Sequence, residues 1–241
     1  GGEGNDALVF ADGAELAGNA LVSGGGGTDT IRLNSGSTDL ILDSVEFTTA
    51  NTVEILDLMG TGRQAVTLGA QTDAAFATGM TIATVATAGS LDLQGALSTV
   101  LINATGTNNA DTLIGGTVND TLNGGAGNDT ITGGAGADQI NAGAGANEIT
   151  DAGVGADNIT HDSESSTVAI AVTGSDAVSL TATQLGATAT AVAGGSRTVN
   201  ASTSDATGAV VIDGSALASG EIGVYTGGDG ADTITGGAGA D

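Results

Sequence analysis

The chain has 241 residues, with 43 glycines and no proline, cysteine or tryptophan. Its 28 acidic residues face only 3 basic ones, which gives a formal net charge of −25 and excludes nucleic acid as a partner, because phosphate would repel the chain. With neither cysteine nor lysine present, thiolate, Schiff-base and lysine-dependent phosphate chemistry are excluded as well.

The chain nevertheless contains enough apolar residues to fold. Hydrophobic residues make up 40% of it, so a core can form once the acidic charge is neutralised. No apolar run approaches the length of a membrane helix, and no basic and then apolar leader opens the sequence. We therefore expect neither a membrane span nor a Sec-type signal, and a fold that depends on no disulfide.

Two separated nine-residue units open the chain. The first, GGEGNDALV, starts at Gly1, and the second, GGGGTDTIR, starts at Gly24. Each unit is glycine-rich, has an acid at its sixth place (Asp6 and Asp29) and has leucine or isoleucine at its eighth. We predict that residues 1–32 hold sparse copies of one repeat that enter a larger solenoid.

From residue 33 to residue 105 the unit disappears, but short alternating or apolar runs continue. They recur about every ten residues between Gly, Asn, Asp or Ser, a pattern typical of strands and tight corners. This spacing predicts a parallel β-solenoid, with an antiparallel two-sheet sandwich as the alternative. One short helical turn is predicted at Asp73–Ala77. The predicted strands are Leu40–Leu42, Val53–Leu58, Ala65–Leu68, Met80–Ala83, Ser90–Leu93 and Thr99–Ile102.

Residues 106–160 are the most regular part of the chain. They contain the nine-residue unit six times in succession, with Asp151 as one inserted residue before the last copy. Leucine or isoleucine stands at every eighth place. A flexible linker has no reason to keep this phase, so we predict folded structure. The sixth places are held by Asp111, Asp120, Asp129, Asp138, Asn147 and Asp157.

The unit predicts a tight turn followed by a short strand. Glycines at the first, second and fourth places can adopt positive φ at little cost, so six residues can turn with their carbonyl oxygens facing one point. The triplet that follows, such as Thr130–Thr132, alternates polar and apolar residues and buries only its middle side chain. Two turns and two triplets make one coil of eighteen residues, and stacked coils make a parallel β-roll.

Stacking also predicts columns of carboxylates. Turns two units apart lie on the same edge, so Asp111 should meet Asp129 and Asp120 should meet Asp138. Such columns repel unless a cation lies between the carboxylates. A cup of carbonyl and carboxylate oxygens suits Ca²⁺, which accepts six to eight oxygen ligands, better than Mg²⁺, which needs a smaller octahedron. Calcium is therefore the predicted cofactor.

The unit resembles the calcium-binding nonapeptide G-G-x-G-x-D-x-U-x of the RTX, or haemolysin-type, family, where U is a large apolar residue. The motif is strongest at residues 115–141, 1–9 and 227–235. The resemblance implies an all-β fold, namely a parallel β-roll or β-helix solenoid with calcium-binding turns, and type I secretion from a Gram-negative bacterium. The metal-binding positions that it indicates are Asp6, Gly24, Asp29, Asp111, Gly115, Asp120, Gly124, Gly127, Asp129, Gly133, Gly136, Asp138, Asn147, Asp157, Gly227, Gly230, Asp232, Gly236 and Asp241.

Several copies depart from the motif, and we expect weak or distorted sites there. The copy that starts at Gly106 has lost two glycines, and Val118 replaces a fourth-place glycine. Asn147 supplies no charge, and the Asp151 insertion breaks the phase ahead of Asp157.

A second plain segment, residues 161–226, is predicted to continue the solenoid, and the calcium unit returns at residues 227–241. Because the last unit stops before its strand triplet, we expect the chain to be an excerpt with further coils on both sides. The predicted parts are thus residues 1–32 (sparse repeats), 33–105 (calcium-poor), 106–160 (calcium-binding β-roll), 161–226 (calcium-poor) and 227–241 (truncated repeats). The predicted strands of the second plain segment are Val168–Val172, Ala177–Leu180, Ala209–Ile212 and Ile222–Tyr225.

The chain offers few residues for catalysis. Its single histidine, His161, lies in a polar run without a nucleophile motif. A β-helical polysaccharide lyase would need a basic residue and aromatic sugar-binding faces, and the chain has only three Phe and one Tyr. Acid pairs such as Glu54 and Asp57 are interpreted as solvated or as additional calcium ligands. The bases available are Arg32, Arg63 and Arg197. We predict that the chain is not an enzyme.

The function that remains is to bind calcium and become rigid. RTX proteins include toxins, adhesins, proteases, lipases and surface-layer proteins, and a Thr-, Ala- and Gly-rich solenoid with sparse calcium units looks most like a surface-layer protein or an adhesin stalk. We therefore expect a secreted structural protein of a bacterial cell-surface assembly that self-associates with calcium. The calcium-binding module of a secreted toxin, adhesin or hydrolase is the alternative.

Overall fold

A computed structural model describes residues 1–18, 22–47, 50–84 and 89–151, together with the strands from β16 to β22. It contains two short helices, α1 (Gly13–Ala17) and α2 (Ala70–Ala75), and a 3-10 helix at Ser44–Phe47. The strands are β1 (Ala7–Phe10), β2 (Val22–Ser23), β3 (Thr30–Leu33), β4 (Leu40–Leu42), β5 (Ala50–Asn51), β6 (Ile55–Leu58), β7 (Arg63–Thr67), β8 (Met80–Thr84), β9 (Ser90–Gln94), β10 (Ile102–Thr105), β11 (Thr112–Ile114), β12 (Thr121–Asn123), β13 (Thr130–Thr132), β14 (Gln139–Asn141), β15 (Ala146–Asp151), β16 (Asn158–Thr160), β17 (Thr167–Val172), β18 (Ser179–Leu180), β19 (Ser196–Asn200), β20 (Val211–Asp213), β21 (Ile222–Thr226) and β22 (Thr233–Thr235).

Two long sheets run along the molecule. Within the described strands, one sheet has the order β1-β3-β6-β8-β10-β12-β14-β16-β18-β20-β22, and the other has the order β4-β7-β9-β11-β13-β15-β17-β19-β21. A short sheet pairs β2 with β5. Every described pairing is parallel. The predicted parallel solenoid is therefore confirmed, and the antiparallel sandwich is wrong.

Aliphatic ladders between the two sheets form the core. In the regular part each strand pairs with the strand eighteen residues later, so Leu122 lies beside Ile140, and Leu113 lies beside Ile131. All four side chains are at most 1% exposed. The predicted alternation, with only the middle residue of each triplet buried, is confirmed in these strands. Stacking of identical positions thus gives the short strands a continuous core.

The coils before residue 106 are longer and carry the helices. Thr30 pairs with Ile55, so that coil has 25 residues, and the 3-10 helix lies within it. Helix α2 packs beside this insertion through Phe47 and Phe76, whose ring centroids are 5.8 Å apart. The predicted helical turn is present but begins at Ala70, before the predicted start. Helix α1, capped by Asp12, lies between the first two units, where the sequence predicted no helix.

One predicted strand was wrongly placed. The sequence indicated Thr99–Ile102, but β10 begins at Ile102. Ile102 pairs with Met80, and Ala104 pairs with Ile82 and Leu122, so this register buries both residues and leaves Leu101 48% exposed. The apolar run Val100–Ile102 does not alternate, and its neighbours in the adjacent coils decide the register.

The Asp151 insertion shifts the register by one residue. Gln139 pairs with Asn158, nineteen residues later, and β15 extends as far as Asp151. The strand absorbs the extra residue, and the stack continues.

Candidate metal centre

The sixth-place acids form columns along the edges of the two sheets. The backbone N–H of Asp111 donates to Oδ1 of Asp129 at 2.9 Å, and that of Asp120 donates to Oδ1 of Asp138 at 2.8 Å. These are the pairs that the eighteen-residue spacing predicts. The link runs from the backbone of one acid to the carboxylate of the next, so one oxygen of each accepting carboxylate is fixed by the adjacent coil.

The same link joins two further pairs of units. Asp6 N–H donates to Asp29 Oδ1 at 2.8 Å, although the coil between them has 23 residues. Asp129 N–H donates to Asn147 Oδ1 at 2.9 Å. Asp29 and all members of the regular columns are at most 3% exposed, whereas Asp6 is half-buried. The columns are therefore buried rows of acceptors.

The turns are of two kinds, which differ in whether the second carboxylate oxygen accepts a hydrogen bond. In the turns of Asp6, Asp111 and Asp120 it accepts the second-place backbone N–H, at 2.6 to 2.7 Å. In the turn of Asp129 the corresponding N–H, that of Gly125, donates to Asn123 Oδ1 instead. Asp129 Oδ2 is buried without a hydrogen-bond partner, and so is Asp29 Oδ2. A buried carboxylate oxygen without a donor is unfavourable unless a cation contacts it.

First-place glycines provide the space in front of these oxygens. A methyl group on Gly124 would lie 2.5 Å from Asp129 Oδ2 and 2.5 Å from the carbonyl oxygen of Ala142, so both oxygens face one point. Methyl groups on Gly115 and Gly133 would lie 2.7 Å and 2.6 Å from the Oδ2 atoms of their own sixth-place acids. The arrangement is an oxygen cup that any side chain would fill.

Within the described nine-residue units, positive φ occurs only at the second and fourth places. In the copy that starts at Gly124, Gly125 has φ of 94° and Gly127 has φ of 121°, whereas Gly124 does not have positive φ. Gly136, at the fourth place of the next copy, has φ of 121°. The prediction of positive φ at the first place was therefore wrong, because glycine is needed there for close approach and not for its backbone angle.

Burial makes the charged form of these acids unfavourable without a cation. Loss of solvation raises the pKa of Asp111 and Asp120 against the hydrogen bonds that they accept. Loss of solvation also raises the pKa of Asp129 to about 7; the N–H of Asp111 opposes this rise, and the Asp111 carboxylate adds to it. A cation in the cup would favour the charged form instead.

The donor set suits calcium. In the described residues no three acidic or histidine side chains converge on one point, so a cup must take its other ligands from backbone carbonyls. Mixed carboxylate and carbonyl oxygens are typical ligands of Ca²⁺, and the residues of the described cups offer neither sulfur nor imidazole to select a transition metal. The carboxylates of Asp111, Asp120, Asp129 and Asp138 would hold the ion with the turn carbonyls. Calcium bound there would neutralise the columns.

Asn147 departs from this pattern. Its Nδ2 donates to the carbonyl oxygens of Ala142 and Gly143, at 3.0 and 3.2 Å. The amide thus donates to the carbonyls of its own turn, and the Ala142 oxygen keeps a second lone pair for the Asp129 cup, while Asn147 Oδ1 keeps the link to Asp129.

Glu54 was not among the predicted metal positions, although the sequence allowed it as an additional calcium ligand, and it is a member of a column. Glu54 Oε2 accepts the backbone N–H of Asp29 at 2.8 Å, in the manner of a sixth-place acid. The signal in the sequence was an acid two residues before a buried aliphatic residue, since Glu54 precedes Leu56 as Asp29 precedes Ile31. The predicted positions that lie outside the described residues are Asp157, Gly227, Gly230, Asp232, Gly236 and Asp241.

Comparison with known proteins gives one result. The family model for the RTX calcium-binding nonapeptide repeat (4 copies) matches residues 16–40, 105–139, 114–149 and 223–241. No curated protein and no solved structure matches the chain. In the described residues no helix is long and apolar enough to cross a membrane. The chain therefore carries the calcium-binding nonapeptide repeats of the RTX family on a parallel β-roll, and it is a calcium-binding module of a secreted protein.

Proposed function

We propose that the chain is a calcium-rigidified structural part of a bacterial cell-surface assembly of the surface-layer type, exported by type I secretion. The observation that supports this proposal is the continuity of the two sheets, which extend from β1 to β22 and from β4 to β21. They pass through residues 33–105 and 161–226, where the calcium unit is absent. Calcium-bearing coils are thus spaced along one solenoid, as suits a stiff rod.

In this proposal the ion acts through the carboxylate columns. Without calcium, Asp111 and Asp129 place like charges in a buried row, which opposes stacking of the coils. With calcium, the sixth-place carboxylates and the turn carbonyls are held together, and the stack becomes rigid. The chain itself then has no catalytic role.

Charge supports calcium as the agent of lateral assembly. Arg32 Nε lies 2.7 Å from Asp57 Oδ2, and Arg63 pairs with Asp92, so two of the few bases are already used within the solenoid. Exposed acids such as Glu3 have no comparable supply of bases around them. Solenoids with a formal charge of −25 repel one another unless a divalent cation screens or bridges them.

The test uses cells that export the protein, studied by electron microscopy and fractionation. In millimolar calcium we expect ordered sheets on the cell surface and the protein in the envelope fraction, and with chelator we expect release as monomer. Magnesium at the same concentration is the control and should not retain the protein. A monomer released in calcium that is toxic, lytic or polysaccharide-cleaving would favour the alternative, a calcium-binding module of a secreted toxin, adhesin or hydrolase.

A further inference from the structure

The cup at Asp29 has a carboxylate oxygen that is kept open. Asp29 is 0% exposed, and its Oδ2 has no hydrogen-bond partner. In the turn of Asp6 the second-place N–H donates to the corresponding oxygen, but here the N–H of Gly25 donates to Thr52 Oγ1 at 3.0 Å. Thr52 comes from the next coil. Because the Thr52 hydroxyl accepts the Gly25 N–H, Asp29 Oδ2 receives no hydrogen bond and can contact a ligand.

Thr52 also turns a second oxygen toward the same point. A methyl group on Gly24 would touch both the carbonyl oxygen of Thr52 and Asp29 Oδ2, which is the relation that Ala142 has to Asp129. Thr52 has φ of 50°, and no other described non-glycine residue has positive φ. Such a conformation costs free energy in a residue with a Cβ atom. The strained backbone faces a buried, open carboxylate, and a bound cation would account for both features.

Glu54 supplies the acid of this coil. Thr30 pairs with Ile55, which places Asp29 beside Glu54, and Glu54 Oε2 accepts the Asp29 N–H. In the regular unit the first place provides the carbonyl and the sixth place provides the acid. Here Thr52 and Glu54 provide the carbonyl and the acid within three residues. They lie outside the nonapeptide, since the family matches end at residue 40 and resume at residue 105.

We propose that Thr52 and Glu54 complete a calcium site with Asp29, half of which lies outside the RTX repeats. Asp29 Oδ2 and the Thr52 carbonyl oxygen are ligands, and Glu54 holds the Asp29 backbone and adds negative charge beside the ion. An all-oxygen site with two acids selects Ca²⁺. The proposal rests on the calcium-dependent rigidity proposed above, and it extends the calcium-bearing part into the segment predicted to be calcium-poor.

Calcium bound per chain, measured by metal analysis and titration calorimetry, tests this site. Asp29→Asn should lose one ion, and Glu54→Gln, which keeps a hydrogen-bond acceptor, should weaken the same ion at least tenfold. The double variant, Asp29→Asn with Glu54→Gln, should lose no more bound calcium than Asp29→Asn alone, because both substitutions act on one site. Glu148→Gln removes one exposed acid and should bind as the wild type does. Thr52→Val, which keeps the carbonyl but removes the hydroxyl, should also weaken this ion.

The outcomes separate this site from the wider function. If Glu54→Gln and Thr52→Val bind calcium as the wild type does while Asp29→Asn loses an ion, the proposed second half is wrong. If Asp29→Asn retains every ion while Asp129→Asn loses one, no site exists at Asp29, although the calcium-binding solenoid stands. A wild-type chain that binds no calcium would overturn both proposals. Circular dichroism in saturating calcium checks that each variant folds like the wild type.

Discussion

Asp129 is the position at which the contribution of calcium and that of the fold can be separated. Its Oδ1 accepts the N–H of Asp111, and its buried Oδ2 faces the cup with the carbonyl oxygen of Ala142. Asp129→Asn removes the charge but keeps an oxygen for the N–H. Asp129→Ala removes both, so a comparison of the two variants distinguishes the ligand from the structural acceptor.

The expected magnitudes differ between the two conditions. A bound ion stabilises the fold by RT ln(1 + [Ca²⁺]/Kd), about 4 kcal/mol per site at a thousandfold excess over Kd. Both variants should lose this amount in calcium. Without calcium, Asp129→Asn should be as stable as the wild type or more so, because it removes a buried charge without a partner. Asp129→Ala should be about 1–3 kcal/mol less stable even then, because it leaves a buried N–H unpaired.

Urea denaturation followed by circular dichroism, with and without calcium, measures these differences. Glu148→Gln, which removes an exposed acid from β15, is the matched control and should change little in either condition. The reasoning is refuted if Asp129→Asn is destabilised equally with and without calcium, since the carboxylate would then have no role as a ligand.

Three further predictions concern pH, the amide turn and the first-place glycine. Burial raises the pKa of Asp129 from 3.8 to about 7, so between these values the calcium-free fold holds a proton that the unfolded chain has released. The stability of the calcium-free fold is therefore fully present below pH 3.8 and declines as the pH rises toward 7, whereas calcium reverses this order. Melting near pH 5 and near pH 8, with and without calcium, measures the difference. Asn147→Asp would set a carboxylate against two carbonyl oxygens, so it should raise calcium uptake by one ion and lower calcium-free stability. Asn103→Asp, the same change at an exposed position of β10, should add no ion to the total in calorimetry. Gly124→Ala should abolish the ion at Asp129 because the methyl group would fill the cup, whereas Gly2→Ala, where nothing lies within 4 Å, should leave calcium binding unchanged.

The regular coils could be predicted because sequence spacing alone determines their stacking. Eighteen residues separate Asp111 from Asp129, so the turn, the register and the buried Ile131 all follow from one period. Positions outside the period depended on tertiary context. The start of β10 is decided by Met80 and Leu122 in the adjacent coils, and the sequence alone does not contain that pairing.

The sequence predicted that oxygen cups would form, but it did not predict their atomic contacts. The spacing placed Asp111 beside Asp129, but it did not indicate that the contact runs through a backbone N–H. Glu54 escaped the pattern because an inserted 3-10 helix lengthens its coil to 25 residues, so the period that reveals Asp129 places no acid there. Insertions between strands thus remove the regular sequence spacing of a column, although its residues still stack in the folded structure.

The most direct measurement is circular dichroism and thermal melting of this chain with calcium and after its removal by chelator. With calcium we expect a β spectrum and a high melting temperature. After removal we expect a lower melting temperature, with residues 106–160 unfolding first, because the buried carboxylates lose the ion that offsets their repulsion. An unchanged β spectrum and an unchanged melting temperature in excess chelator would contradict the claim that calcium holds the solenoid together.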